Sequence, residues 1–205
     1  MRTEFCDVEN SSGSRLFQKV KNPISTEMLT QYINKLAPDL HHSISLTGGE
    51  PLLQNKFLLS FLPKLKNEFS IPIYLESGGH RPGELKNIVD FIDYVSMDFK
   101  LPSSAKTGSF WDEHRDFLNI SLAAKKNIWV KIVVSSDTFY DDLLSSINLV
   151  RSLSTGVEIF LQPVTEINSS KPPDEISLLD LHSKLLQLYP HIRVIPQVHK
   201  LIGQR

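Results

Sequence analysis

The sequence contains a single cysteine, Cys6, among its 205 residues, so no disulfide can form within the chain. It contains no apolar run near the about 18 residues that a membrane-spanning helix needs, and its first residues lack the apolar stretch of a secretory signal. The formal net charge is only −1, which gives no electrostatic reason to expect nucleic acid or a membrane surface as a partner. We therefore expect a cytoplasmic protein that binds neither.

Apolar residues make up 40% of the chain, enough for the core of a single domain spanning 1–205. Short apolar runs alternate with segments in which apolar residues recur at helical spacing. The runs are Ser43–Leu46, Ile71–Leu75, Tyr94–Met97, Ile128–Val134, Val157–Leu161 and Ile192–Ile195. Such alternation is typical of an α/β protein with a parallel sheet, although periodicity does not tell whether the sheet closes.

Helices are predicted before and between these strands. The first covers Ser25–Leu36, with Ser25 as N-cap and an apolar face expected to point inward. That face consists of Met28, Leu29, Tyr32, Ile33 and Leu36. The later helices are Lys56–Phe69, where Pro63 could introduce a kink, Gly83–Ile92, Trp111–Lys126, Tyr140–Leu153 and Ile176–Leu188. Leu101–Ser109 and Glu166–Asp174 are predicted to be loops, and loops at the carboxyl ends of parallel strands build active sites.

Two glycine-containing strings follow predicted strands. In Thr47-Gly48-Gly49-Glu50-Pro51, the glycines allow a ligand to approach the backbone closely. A bare glycine pair is also consistent with a tight turn. The next strand ends in Leu75-Glu76-Ser77-Gly78-Gly79, where the Glu76 carboxylate could accept hydrogen bonds from ribose hydroxyls or could be a solvated turn residue.

Three further strings place polar side chains after strands. Asp98-Phe99-Lys100 could face a polar ligand or form a surface ion pair worth ~0–1 kcal/mol. Gln162-Pro163-Val164-Thr165 offers an amide that can donate to and accept from the edge of a purine or pterin. His199 and Lys200 follow the last strand and are candidates for binding an anionic substrate. The other histidines show no metal-ligand spacing and are interpreted as structural.

Taken together, the strings Thr-Gly-Gly-Glu-Pro, Gln-Pro and the final Pro-Gln-Val-His-Lys-Leu-Ile-Gly resemble the 7-carboxy-7-deazaguanine synthase family of radical S-adenosylmethionine enzymes. The resemblance implies a partial (β/α) barrel lacking its first strand, a [4Fe–4S] cluster, S-adenosylmethionine and Mg²⁺. It implies a carbon–nitrogen lyase of queuosine or deazapurine biosynthesis that contracts the ring of 6-carboxy-5,6,7,8-tetrahydropterin to 7-carboxy-7-deazaguanine, releasing ammonia. It also implies a flavodoxin-type or ferredoxin-type reductant, and it is compatible with a homodimer.

The resemblance also assigns site residues. It places substrate contacts at Thr47, at His199 and at the terminal carboxylate of Arg205. The expected cofactor-binding residues are Gly48, Gly49, Glu50, Glu76, Asp98, Phe99, Lys100, Gln162, Pro163, Val164 and Thr165. Cys6 is the expected cluster ligand.

The sequence departs from the family pattern near Cys6. Members hold the cluster with three cysteines, often as CxxxCxxC, and Cys6 matches the third while Thr3 stands at the second. One thiolate cannot hold such a cluster. Val8 stands where the family usually has a threonine that binds Mg²⁺. These departures leave two hypotheses, an N-terminally incomplete member of the family or a degenerate one.

Two alternative functions follow from the same residues. A non-catalytic relative that binds S-adenosylmethionine would explain both Cys6 standing alone and Val8. Another radical enzyme, such as a glycyl-radical activase, would share the glycine string, but the Gln-Val-His-Lys ending argues against it.

Overall fold

The computed structural model of the chain describes residues 5–9, 15–19, 23–105, 108–166 and 171–198. These fall into two compact units, Met1–His41 and His42–Arg205. The single domain expected from the sequence stays a prediction. Within the described residues, no helix is both long enough and apolar enough to cross a bilayer.

Within its described residues, the first unit contains a short antiparallel ladder, one α-helix and a single 3₁₀ turn at Pro38–Leu40. Strands β1 (Phe5–Glu9) and β2 (Arg15–Lys19) pair in the register that places Cys6 opposite Gln18. Helix α1 (Thr26–Lys35) begins at Ser25, whose hydroxyl accepts a hydrogen bond from the amide of Met28 at 3.2 Å. The predicted N-cap is therefore confirmed, whereas the ladder had no counterpart in the sequence predictions.

The prediction that the apolar face of α1 points inward is wrong. None of the helix residues is buried, and Met28, Tyr32 and the C-capping Leu36 are 46%, 43% and 69% exposed. Helical spacing establishes that one face is apolar, but it carries no information about what covers that face.

The second unit is built on a six-stranded sheet whose strands are all parallel and follow one another in chain order. The first and last of them pair with one neighbour each within the described residues. Each predicted strand is present, with ends shifted by up to two residues. The strands are β3 (Ile44–Leu46), β4 (Ile73–Ser77), β5 (Tyr94–Phe99), β6 (Asn127–Val134), β7 (Glu158–Pro163) and β8 (Ile192–Val194).

Helices connect these strands in the alternation that the sequence predicts. They are α2 (Asn55–Glu68), α3 (Pro82–Ile88), α4 (Pro102–Ala105), α5 (Trp111–Ala123), α6 (Tyr140–Leu153) and α7 (Glu175–Leu186). Helix α2 continues through Pro63, so the proline does not split it. Helix α4 lies inside a predicted loop, because Pro102 is well suited to the first turn of a helix.

The sheet has two faces of different character, since successive side chains of a strand point to opposite sides. On one face lie buried apolar residues of the helix-covered core, such as Leu75, Val95 and Ile132. The other face carries polar and aromatic residues that are mostly half-buried. Strand pairing brings these residues side by side on one face. They are Tyr74 and Glu76 on β4, Ser96 and Asp98 on β5, Trp129 and Lys131 on β6, and Phe160 and Gln162 on β7.

Candidate functional site

The carboxyl edge of the sheet brings together residues that are far apart in the sequence. Thr47 follows β3, Glu76 and Asp98 lie near the ends of β4 and β5, and Gln162 lies near the end of β7. Their strands are neighbours or next neighbours in one parallel sheet, so their carboxyl ends meet at the same edge. The expectation of a shared edge is therefore confirmed for the four strings that the structure describes, whereas the string with His199 and Lys200 lies outside the described residues.

The loop after β3 presents open backbone at this edge. Gly48 and Gly49 have φ angles of +90° and +55°, in the left-handed region that favours glycine. A Cβ atom added at either position would meet no atom within 4 Å. The backbone here is therefore free to contact a ligand, as the sequence suggested for a glycine pair in this string.

Glu76 is held between Thr47, which follows β3, and Lys131 of β6. One carboxylate oxygen accepts a hydrogen bond from the Thr47 hydroxyl at 2.9 Å, and the other accepts one from the Lys131 ammonium at 3.0 Å. The Glu76 side chain remains 39% exposed, so the carboxylate is both oriented and accessible.

Asp98 is the second acidic residue on this face of the sheet. One of its oxygens, Oδ2, pairs with the Lys100 ammonium. The other, Oδ1, is buried and has no hydrogen-bond partner among the described residues, although the side chain is only 17% exposed. A buried carboxylate oxygen without a partner is costly. Asp98 therefore offers an acceptor for a ligand hydroxyl or amine.

Lys131 is the charged residue that sequence reasoning missed. Burial acts to lower the pKa of Lys131, but the Asp98 charge and the hydrogen bond to Glu76 outweigh it, so the pKa is raised above its usual value. Lys131 is thus cationic between two carboxylates. A signal was present in the sequence, because a lysine inside the apolar run Ile128–Val134 indicates that one strand face is not core.

Glu50 is a predicted cofactor contact, and in this structure its carboxylate holds two loops together. Its carboxylate accepts hydrogen bonds from the Leu52 amide at 3.1 Å, from the Ser77 hydroxyl at 3.0 and 3.1 Å, and from the Gly78 amide at 2.9 Å. These contacts tie the loop after β3 to the loop after β4. A direct contact of this side chain with a cofactor stays a prediction.

The loop after β4 is also fixed from the helix side. His114 of α5 is fully buried, with its Nε2 3.1 Å from the carbonyl oxygen of Gly78. Burial lowers the pKa of His114 to about 4, so the ring is neutral near pH 7. The ring of Phe99 packs against it, with centroids 4.3 Å apart. The Phe99 side chain, at the end of β5, is 2% exposed and faces α5, so a ligand above the sheet edge could contact only its backbone.

The end of β7 is joined to the segment after β8. Gln162 is buried, and its Nε2 donates to the carbonyl of Pro196 at 3.4 Å. The amide and hydroxyl of Thr165 both donate to the side-chain oxygen of Gln197, at 3.0 and 2.5 Å. Pro163 and Val164, between them, are half-buried. A cofactor contact in this stretch remains a prediction.

Of the remaining predicted site residues, Cys6 lies within the described part of the chain, whereas two others do not. Cys6 lies within strand β1 of the first unit. His199 and Arg205 lie outside the described residues, so their predicted substrate contacts have no structural account. Sequence reasoning also missed Tyr74 and Trp129, whose rings lie 5.4 Å apart on the same face as Glu76.

Solved structures share the fold of this chain. Streptococcus suis SuiB bound to S-adenosylmethionine matches with a TM-score of 0.64 and 13% identity, over 88% of this chain and 45% of that protein. A radical SAM methyltransferase from Sphaerobacter thermophilus matches with a TM-score of 0.59 and 14% identity, over 87% of this chain and 59% of that one. The fold is thus that of radical S-adenosylmethionine enzymes, which confirms the predicted α/β class.

Sequence relatives define the family more closely. Residues 7–112 match the family model of a 4Fe-4S single cluster domain. The 7-carboxy-7-deazaguanine synthase of Geobacter sulfurreducens is 31% identical over 98% of this chain, which covers 80% of that relative. The synthase of Archaeoglobus fulgidus is 30% identical over 98% of the chain, which covers 84% of it. The chain belongs to the 7-carboxy-7-deazaguanine synthase family, as the resemblance predicted.

The residues present fit S-adenosylmethionine, whereas they do not complete a site for a [4Fe–4S] cluster. Open backbone at Gly48 and Gly49 suits S-adenosylmethionine, which carries an amino acid end and a ribose, and so does Oδ1 of Asp98, which has no hydrogen-bond partner among the described residues. The [4Fe–4S] cluster needs several thiolates, and these 205 residues include one cysteine. Among the described residues, no three histidine, cysteine, aspartate or glutamate side chains converge on a point where a metal ion could bind.

Proposed function

We propose that this chain binds S-adenosylmethionine at the carboxyl edge of its sheet and belongs to a carbon–nitrogen lyase that forms 7-carboxy-7-deazaguanine. The substrate would be 6-carboxy-5,6,7,8-tetrahydropterin, and the second product ammonia. The observation that carries the proposal is the row formed by Thr47, Glu76, Lys131 and Asp98 beside the open glycine backbone. Membership of the synthase family supports the choice of reaction.

The two ends of the cofactor have different partners in this proposal. The adenosyl end lies over β4 and β5, where Glu76 and Asp98 accept hydrogen bonds from ribose hydroxyls. The methionine end lies over Gly48 and Gly49, whose peptide groups contact its amino and carboxylate groups. In radical enzymes of this type, S-adenosylmethionine supplies a 5′-deoxyadenosyl radical. This chain's own residues bind and orient the cofactor. The proposal also includes Mg²⁺ as a further cofactor, a flavodoxin-type or ferredoxin-type reductant, and assembly of the chain as a homodimer.

A second function is supported by the donor count. With Cys6 as the single thiolate, the chain as printed would bind S-adenosylmethionine without cleaving it. Val8, at the position of a magnesium-binding threonine in the resemblance, favours the same reading. The chain would then be a binding protein on a radical-enzyme fold.

Anaerobic reconstitution distinguishes the two functions. The 205-residue chain should take up less than stoichiometric iron and sulfide and should form no 5′-deoxyadenosine. A matched variant would carry Thr3→Cys and an N-terminal extension that completes the CxxxCxxC pattern ahead of Cys6. If the lyase proposal holds, this variant should show a cluster EPR signal after reduction and should form 7-carboxy-7-deazaguanine from the carboxytetrahydropterin.

A control variant has the same extension and Cys6→Ser, which removes one thiolate again. The lyase proposal fails if the extended variant holds a cluster and cleaves S-adenosylmethionine but leaves the pterin unchanged. The binding-protein alternative fails if the unextended chain already forms a stoichiometric cluster.

A further inference from the structure

Lys131 occupies a position from which it reaches two strands at once. In the sheet register Glu76 lies opposite Ser96, and Ser96 lies opposite Trp129, two residues before Lys131. The ammonium of Lys131 nevertheless lies 3.0 Å from the Glu76 carboxylate. Its side chain therefore crosses the intervening strand β5. The small side chain of Ser96, on the same face of β5, leaves room for this crossing.

The same lysine also lies beside the second carboxylate. Asp98 is its direct neighbour across β5 and β6, and the Asp98 charge helps to raise the pKa of Lys131. Two carboxylates on one face of a sheet repel each other, and partial burial increases that repulsion. Lys131 is itself 17% exposed, so it is a shielded cation between them and not a surface charge.

Resting on the proposed function, we propose that Lys131 is a positioning residue that holds Glu76 and Asp98 as paired acceptors for the 2′- and 3′-hydroxyls of a ribose. Three observations converge on this role. Glu76 is fixed from both sides by Thr47 and Lys131 while staying accessible. Asp98 keeps one buried oxygen without a hydrogen-bond partner among the described residues. A vicinal diol is the chemical group that supplies two adjacent donors to such a pair.

Nucleosides without a methionine end provide the test, because their binding does not depend on an iron site. Adenosine and 2′-deoxyadenosine differ only in the 2′-hydroxyl, one of the two hydroxyls that the carboxylates are proposed to recognise. The full chain should bind adenosine about tenfold more tightly, the size expected for one hydrogen bond to a charged group. In Lys131→Met this preference should fall to about twofold or less. Ligand-observed NMR titration measures both affinities in the weak range.

A matched control removes a similar ion pair elsewhere on the sheet. Lys66 pairs with Asp93, whose carboxylate accepts from the Ile73 amide at the amino end of β4. Lys66→Met should lower stability and keep the full preference for adenosine. If Lys131→Met unfolds, Lys131→Gln removes the same charge with a polar side chain, and it should reduce the preference to the same extent.

Three outcomes decide the inference. A lost preference in folded Lys131→Met or in Lys131→Gln, with the preference kept in Lys66→Met, supports it. An unchanged tenfold preference in either folded site variant overturns the positioning role and leaves the cofactor site standing. If the wild-type chain binds neither nucleoside, the cofactor site of the proposed function fails, and this inference fails with it.

Discussion

The carboxylate of Glu50 accepts a hydrogen bond from the backbone amide of Gly78 at 2.9 Å, so the loop after β3 is joined directly to the loop after β4. On its other side, the carbonyl of Gly78 lies 3.1 Å from Nε2 of His114. Gly78 is thus held through its amide by an acid from one loop and through its carbonyl by a neutral histidine from α5. The geometry of the proposed cofactor site depends on this arrangement, because Glu76 lies two residues before Gly78.

Removing the Glu50 carboxylate should therefore destabilise the fold. In Glu50→Ala the amides of Leu52 and Gly78 and the hydroxyl of Ser77 lose their acceptor, at a cost of about 2–3 kcal/mol. Glu84→Ala is the control, since Glu84 pairs with Arg81 within one helical turn and such pairs are worth up to about 1 kcal/mol. Urea unfolding of both variants measures the difference. Equal losses in the two would mean that the bracing contacts do not matter.

The role of Glu50 shows where sequence reasoning stops. The position of the string Thr-Gly-Gly-Glu-Pro at the carboxyl edge of the sheet was predicted correctly, because its place after an apolar strand is a local property. Whether the glutamate contacts a ligand or a neighbouring loop depends on Ser77 and Gly78, which join it only through the tertiary fold. Lys131 was missed for a related reason. Its importance arises from two acids on other strands.

Strand ends show the same limit on a smaller scale. The apolar run predicted a strand from Ile71 to Leu75, but pairing extends from Ile73 to Ser77. Pro72 has no amide hydrogen to donate to a ladder, which favours a later start. At the other end Ser77 stays in the ladder opposite Met97, although its side chain is polar. Apolar runs identify which strands exist, whereas their ends depend on hydrogen bonding between strands.

Among the glycines that the structure describes, Gly79 should tolerate substitution least. Its φ is +70°, and an added Cβ would lie 2.5 Å from Cε of Met97 and 3.2 Å from Cδ2 of His114. Gly79→Ala should lose about 2–4 kcal/mol, combining backbone strain with overpacking. Gly83→Ala should be neutral or stabilising by up to about 1 kcal/mol, because Gly83 lies in α3 with open space around it. Thermal and urea unfolding measure the stability of both variants. Equal stability of Gly79→Ala and Gly83→Ala would contradict the close contacts around Gly79.

The buried His114 should make stability depend on pH. Its folded pKa of about 4 lies below the usual 6.5, so the unfolded chain binds more protons at this ring between those values. The free energy of unfolding that His114 contributes is therefore complete above pH 6.5 and is lost as pH falls toward 4. Over that window the loss approaches roughly 3 kcal/mol.

A variant without the titrating ring isolates this effect. In His114→Gln the side-chain amide can still donate to the Gly78 carbonyl, but it binds no proton in this range. The stability difference between wild type and variant should shrink by about 2–3 kcal/mol on going from pH 7 to pH 4.5, since other groups contribute equally to both. Urea unfolding at several pH values measures it. Parallel stability curves would show that His114 is not protonated on unfolding.

Gly49→Val should separate ligand binding from folding. An added side chain at Gly49 meets no protein atom within 4 Å, so its structural cost is limited to backbone strain of about 1–2 kcal/mol at a φ of +55°. The same side chain would occupy the space through which the proposed methionine end approaches the backbone. Affinity for S-adenosylmethionine should fall about tenfold or more, a difference that calorimetry on the folded variant can measure.

Gly156→Val provides the matched control for this substitution. Gly156 has no atom within 4 Å of an added Cβ, and it precedes β7, at the amino end of the strands, away from the proposed site. This variant should bind S-adenosylmethionine as tightly as the wild type. Equal affinity in Gly49→Val and Gly156→Val would show that the glycine string forms only a turn and does not contact the cofactor. A selective loss in Gly49→Val would place the cofactor against the backbone that follows β3, because the two substitutions add the same side chain and differ in position.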